Sequence, residues 1–136
     1  ASWLPIGSLR RRSVGELVAF ARMDGVPYGS IHLPQAKTRT SARFRTAMAR
    51  PEEQVNHGRY ALLTAENSVA IRGGGSIVVD GRVIGAVGTS GGTSPEDAVV
   101  AAAIATPIAA SSRRPEADIG NVWVESKSDL ANFRAA

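Results

Sequence analysis

The sequence predicts an α/β fold with a mainly antiparallel sheet and helices packed on it, and three stretches carry that expectation. Asp80-Gly81 stands between two β-branched runs, Ile77 to Val79 and Val83 to Val87. A two-residue Asp-Gly connection is a strong hairpin signal, because a type I′ turn needs φ > 0 at both central positions. Ser94-Pro95-Glu96-Asp97 then has the chemistry of a helix start: Ser94 as N-cap, Pro95 where its missing N–H is harmless, and two carboxylates at the positive end of the dipole. An earlier helix is expected from about Ile31 to Ala49, opened by Ser30 and stopped by Pro51. At 100° per residue its Leu33, Ala36, Thr40, Phe44 and Ala47 share a face, which is assigned to the core.

The remaining elements follow in chain order. Residues 1–14 read as irregular, since Pro5 and Gly7 interrupt the apolar Trp3, Leu4 and Ile6, and Arg10-Arg11-Arg12 follows. Glu16 to Met23 alternates as a strand, and Asp24-Gly25 with Pro27 and Gly29 forms the next loop. Glu52 to Arg72 reads as a loop or short helix crossing to the hairpin. Gly88-Thr89-Ser90-Gly91-Gly92 is a permissive strand-to-helix bend, and the alanine-rich run from Ala98 to Ala105 can lie close against a sheet. Pro107 is expected to end or kink that helix near Thr106. Residues 15–110 thus form one domain. A tail over 111–136 is expected to hold a linker, a short strand from Asn121 to Glu125 and a short helix from Ser128 to Arg134.

Composition narrows the function classes. The chain has 136 residues, 43% apolar and only 5% aromatic, enough for a single core built from Ala, Val, Ile and Leu. The absence of cysteine removes disulfides, thiolate ligands and a cysteine nucleophile together. It fits a cytoplasmic protein, the expected location, and is equally compatible with export. No apolar run approaches the roughly 20 residues of a membrane helix, so no membrane partner is expected. The net charge of +4 is uneven: residues 1–60 hold ten bases and four acids, a surplus of +6, and the rest six bases and eight acids, −2. Either an anionic partner or a solvated arginine-rich surface accounts for this. Nucleic acid is not expected, because few aromatics that could stack are interleaved with those bases, Phe44 being the one near the α1 cations.

The run Gly73-Gly74, strand, DGRVIGAVGTSGG and a Pro-Glu-Asp helix start resembles the C-terminal signature of the GlcG/HbpS-like haem-binding family, found also as the C-terminal domain of PduO-type corrinoid adenosyltransferases. GELVAFARMDG, Gly15 to Gly25, and the helix carrying Gln35-Ala36-Lys37 with Thr40 and Phe44 agree in the same order. The resemblance covers roughly Gly15 to Ala105. It implies a profilin-like two-layer fold, a bacterial homo-oligomer built from dimers, and haem or a related tetrapyrrole as ligand, with cobalamin as the alternative. The N-terminus departs from the pattern: the family's first helix and strand are not visible, and residues 111–136 are one candidate to replace them.

Two constellations are candidate sites. The first is the loop of Thr89, Ser90, Gly91 and Thr93, whose backbone N–H groups at a helix start suit a carboxylate or phosphate, with Gly74 of the preceding glycine run as a further candidate contact. The alternative is a tight turn whose glycines serve packing. The second is the face shared by His32, Arg39 and Arg43, with Lys37 at its edge toward the core. An imidazole and a guanidinium pair beside an apolar wall suit a macrocycle with peripheral carboxylates, His32 being the candidate iron ligand; the alternative is an exposed polar helix face. Met23, Met48, Tyr28 and Thr89 are weaker axial candidates. Two histidines twenty-five residues apart argue against a preformed zinc site. A rival function is a cofactor-independent enzyme that holds a substrate carboxylate at the Thr89 to Thr93 loop and moves protons with His32 or Asp24.

Overall fold

The computed structural model describes residues 4–8 and 16–111. Among the described residues four antiparallel strands form one sheet in the order β2-β1-β4-β3: β1 Leu4–Ser8, β2 Leu17–Ala21, β3 Gly74–Val79 and β4 Arg82–Gly88. Between β2 and β3 run α1 Gly29–Phe44, α2 Ala49–Asn56 and a 3₁₀ turn Tyr60–Thr64. The helix α3, Ser94–Ser111, follows β4. The α/β class and the antiparallel sheet are as the sequence predicts.

The hairpin is built as its Asp-Gly pair requires. Asp80 and Gly81 have φ of 49° and 74°, and Val79 pairs with Arg82 directly across the turn. An irregularity between Ile77 and Val78 bends the ladder. Side chains then alternate between faces. Ile77 and Val87 meet Ala101 and Ile108 of α3 in the apolar core, with Ile84, Ile104, Ala105 and Ala109 around them. Ser76 faces the other way and meets Ser41 of α1 at 3.2 Å. Helices therefore flank both faces of the sheet, and the layers run helix, sheet, helix where two were expected.

Four local expectations are corrected. The segment expected to be irregular over 1–14 supplies β1, which lies between β2 and β4. Pro5 is tolerated because the β4 ladder starts only at Ile6, and Gly7 sits at the irregularity beside Ile6. Pro51 does not stop a long helix. α1 ends at Arg45 in the left-handed conformation (φ 52°), and Pro51 stands in the first turn of the separate helix α2, where no intrahelical N–H is needed. Pro107 does not end α3, which continues to Ser111; Pro107 is on the exposed side, where a carbonyl that loses its partner meets water. The cap of α3 is Thr93 in place of Ser94: its carbonyl accepts the Asp97 N–H at 2.9 Å, and Glu96 Oε2 reaches back to its N–H and hydroxyl, each at 2.8 Å. The expected strand and helix over 121–134 lie outside the described residues.

The core face of α1 is the largest correction. The buried residues are Pro34, Lys37, Thr38, Thr40, Ser41 and Ala42, whereas Phe44 is 59% exposed, Ala47 is exposed, and Leu33 and Ala36 are half-buried. The helix lies on a floor without bulk. A Cβ added at Gly88 would fall 2.5 Å from Thr38 Oγ1 and 2.8 Å from the Thr38 backbone N, and one at Gly74 would fall 2.7 Å from Met48 Cγ. Only small side chains fit at such an approach, and their hydroxyls are satisfied locally: Thr38 donates to the Pro34 carbonyl, Thr40 to Ala36 and Ser41 to Thr46.

Candidate functional site

The close approach of α1 to the sheet ends in a buried ion pair. Lys37 points between α1 and the ends of β3 and β4, with 1% of its side chain exposed. Its Nζ donates to Asp97 Oδ2 at 2.9 Å and to the Thr89 carbonyl at 2.8 Å. The other carboxylate oxygen of Asp97 accepts the Gly92 N–H at 3.1 Å. Thr89 donates its hydroxyl to the Asp97 carbonyl at 2.6 Å and its N–H to the Gly73 carbonyl at 2.7 Å. Gly73 closes the arrangement. With φ of 106° it needs glycine, and a Cβ there would fall 2.5 Å from Asp97 Cβ and 2.8 Å from Lys37 Nζ. This knot ties α1, both hairpin ends and the start of α3 together, so burial of the two charges is met by pairing and by further hydrogen bonds.

The glycine-rich loop is therefore less open than its sequence implies. The Gly92 and Thr93 N–H groups are held by the chain's own carboxylates, and the Thr89 N–H by a carbonyl. Thr89 is fully buried, Ser90 is 5% exposed, and Gly91, Gly92 and Thr93 are at the surface. Hydrogen bonds from the Thr93 N–H and then from its hydroxyl hold the Glu96 carboxyl below its ordinary pKa. Lys37, Gly74 and Thr89 thus have packing and pairing roles where ligand contact was expected. Met48, fully buried against Gly74, likewise has a packing role where a weak axial ligand was expected.

His32, Arg39 and Arg43 are all exposed, and they share one side of α1 as the 100° spacing implies. Tyr28, 80% exposed at the N-cap, continues the stripe, with the Arg22 guanidinium 5.5 Å from the centre of its ring. Beside the stripe on the same helix lie half-buried Leu33 and Ala36, and exposed Phe44. The structure therefore separates the two candidate constellations: the α1 stripe faces solvent with its cations unpaired by any acid among the described residues, while the loop is tied internally. Asp97, the partner that fixes Lys37, reads in the sequence as a helix-start residue. Its role is a contact across sixty positions, and the signal available in the sequence was a lysine on a helix face otherwise made of small residues.

A family model described as "Haem degrading protein HbpS-like" matches residues 11–106. The chain belongs to the HbpS-like family. Protein GlcG of Escherichia coli K12 and that of Escherichia coli O6:H1 are each 44% identical over 76 residues, which is 56% of this chain and 57% of theirs, so the match spans less than two thirds of those relatives. Among solved structures, the ORFY protein of Klebsiella pneumoniae is similar with a TM-score of 0.63 at 24% identity, over 74% of this chain and 70% of that one. A PduOC:haem complex gives 0.59 at 24% identity over 74% and 75%. A double mutant of HbpS from Streptomyces reticuli gives 0.64 at 16% over 76% and 70%. These likenesses share the HbpS-like fold, with helices packed on an antiparallel sheet. No helix among the described residues is long and apolar enough to cross a membrane.

Proposed function

We propose that this HbpS-like chain binds haem, or a related tetrapyrrole, along the outward face of α1 and works as a homo-oligomer. One observation carries the reading: a single exposed helix face presents an imidazole, two guanidiniums and, along its flank, exposed or half-exposed apolar side chains. Those are the groups such a ligand needs. His32 would offer the axial nitrogen. Arg39 and Arg43, about 10 and 16 Å further along the helix axis at 1.5 Å per residue, would hold peripheral carboxylates through forked hydrogen bonds. Leu33, Ala36 and Phe44 would lie against the macrocycle. Haem, when bound, supplies an iron centre whose reactivity depends on the axial donor and on the polarity around it.

The stripe alone covers one side of a flat ligand, which is why a second copy belongs in the reading. Assembly is supported also by α3, which is uncharged from Ala98 to Ala110 and leaves Val99 70% exposed. The rival, a carboxylate-binding enzyme built on the Thr89 to Thr93 loop, has less support because carboxylates of the chain already take the amides it would use.

Titration with haemin at micromolar protein tests the reading. A Soret shift that saturates, changes position in H32A and weakens in R39A/R43A supports it. No shift overturns it, and a response to a corrinoid in its place assigns the ligand to cobalamin.

A further inference from the structure

On its side of the sheet α3 packs chiefly on β3 and β4, which leaves β1 and β2 beside it. The strand register carries that face across. Ile6 pairs with Val87 on one side and with Ala19 on the other, so Ala19, and Ala21 two residues on, lie on the face that α3 covers at Val87. All five residues of β2 are apolar, none of them is buried, and Leu17 is 51% exposed. Strands stand about 4.8 Å apart and a helix is about 10 Å wide. Two strands therefore leave room for one more helix or extended segment. Whichever flank of α3 borders that room is uncharged from Ala98 to Ala110. An apolar floor beside an apolar flank is a surface that a further segment can bury.

The length of the chain and the place where α3 ends identify the segment. α3 starts beside Thr89, whose hydroxyl bonds the Asp97 carbonyl at 2.6 Å, and runs back along β4 toward the Asp80-Gly81 turn, ending at Ser111. Leu17 lies at that same end of the sheet, opposite Gly7, which pairs with Ala86. From Ser111, Ser112 to Pro115 at about 3.3 Å per residue can cross the roughly 10 Å of two strands. Residues 116–136 then bring Ile119, Val122, Trp123, Val124, Leu130 and Phe133. Residues 1–3 are too few for this, and 9–15 are used in joining β1 to β2. A short tether gives an effective concentration on the order of millimolar, which favours the chain's own segment over a second copy at micromolar protein.

We propose that residues 112–136 fold back over the α3 side of β1 and β2, with Trp123 and its flanking valines against Ala19 and Ala21. Since β1 already stands between β2 and β4, the segment acts as a cover and not as a central strand.

The chain has no cysteine, so Ser126→Cys allows one nitroxide to be attached to the full-length protein without altering an apolar residue. Amide-resolved NMR is expected to show broadening strongest at Ala19 and Ala21, weaker at Arg39 and Arg43 on the opposite layer, and abolished when the nitroxide is reduced. Adding Trp123→Ser should at least halve the broadening at Ala19 while the β3 and α1 amide shifts stay in place. Mixing spin-labelled chain with isotope-labelled chain that carries no nitroxide separates the occupants. Broadening at Ala19 that is as strong in the mixture assigns the cover to a second copy and overturns the proposal. Broadening centred away from β2, or an unchanged profile in the Trp123→Ser variant, would overturn it as well.

Discussion

Replacing Lys37 with methionine keeps nearly the same volume and removes the charge from a site where only 1% of the side chain is exposed. Asp97 would then keep its Gly92 N–H bond but lose its counter-ion at 2.9 Å, and the Thr89 carbonyl would lose a donor at 2.8 Å. Removing one member of a buried pair costs about 3–5 kcal/mol, because the remaining charge stays desolvated. For a domain of this size each kcal/mol moves the melting temperature by roughly 3–6 °C, so K37M should melt at least about 9 °C below the wild type. Asp97→Asn removes the other charge, and the double variant K37M/D97N should regain part of the loss, giving a coupling of about 1–3 kcal/mol in a double-mutant cycle. Urea unfolding followed by circular dichroism gives all four free energies. A K37M loss below 1 kcal/mol, or strict additivity in the cycle, would refute the view that this pair holds α1, the hairpin ends and α3 together.

Other outcomes follow from the same geometry. Gly88→Ala would drive a Cβ into the backbone of Thr38, forcing α1 off the sheet, and should leave little folded protein by circular dichroism. Gly73→Ala combines positive φ with a 2.5 Å approach to Asp97 Cβ, and should lower stability by more than about 2 kcal/mol in urea unfolding, beyond backbone strain alone. Glu96 is held below its ordinary pKa by hydrogen bonds from Thr93. A depressed folded pKa contributes stability that is present above the unfolded value and is lost as pH falls through the folded one. E96Q should therefore be less stable than wild type near pH 6–7, and the difference should shrink as pH falls below the ordinary carboxylate range, as read by melting temperature across a pH series.

How far the molecule is legible in its sequence depends on the range of the contacts involved. The hairpin at Asp80-Gly81 and the α3 start were readable because turn chemistry and capping are local. The α1 periodicity was readable as a helix, but its buried side was misassigned by about a quarter turn. The rule that apolar residues face inward fails where glycines at 74 and 88 bring a helix so near that only Thr38, Ser41 and a paired lysine fit. β1 was hidden because Pro5 and Gly7 usually break strands, and only the register against β2 and β4 shows why they do not here. In the same way the cationic stripe of His32, Arg39 and Arg43 followed from helical spacing, whereas the Lys37 to Asp97 contact did not, since no periodicity links residues sixty apart.

The central claim is that ligand lies on the outward side of α1. Its most direct test is chemical-shift mapping with gallium protoporphyrin IX, a diamagnetic stand-in for haem, on isotope-labelled protein. The account predicts perturbations concentrated at Tyr28, His32, Ala36, Arg39 and Arg43. Perturbations confined to β3 and α3, with the α1 signals unmoved, would contradict it.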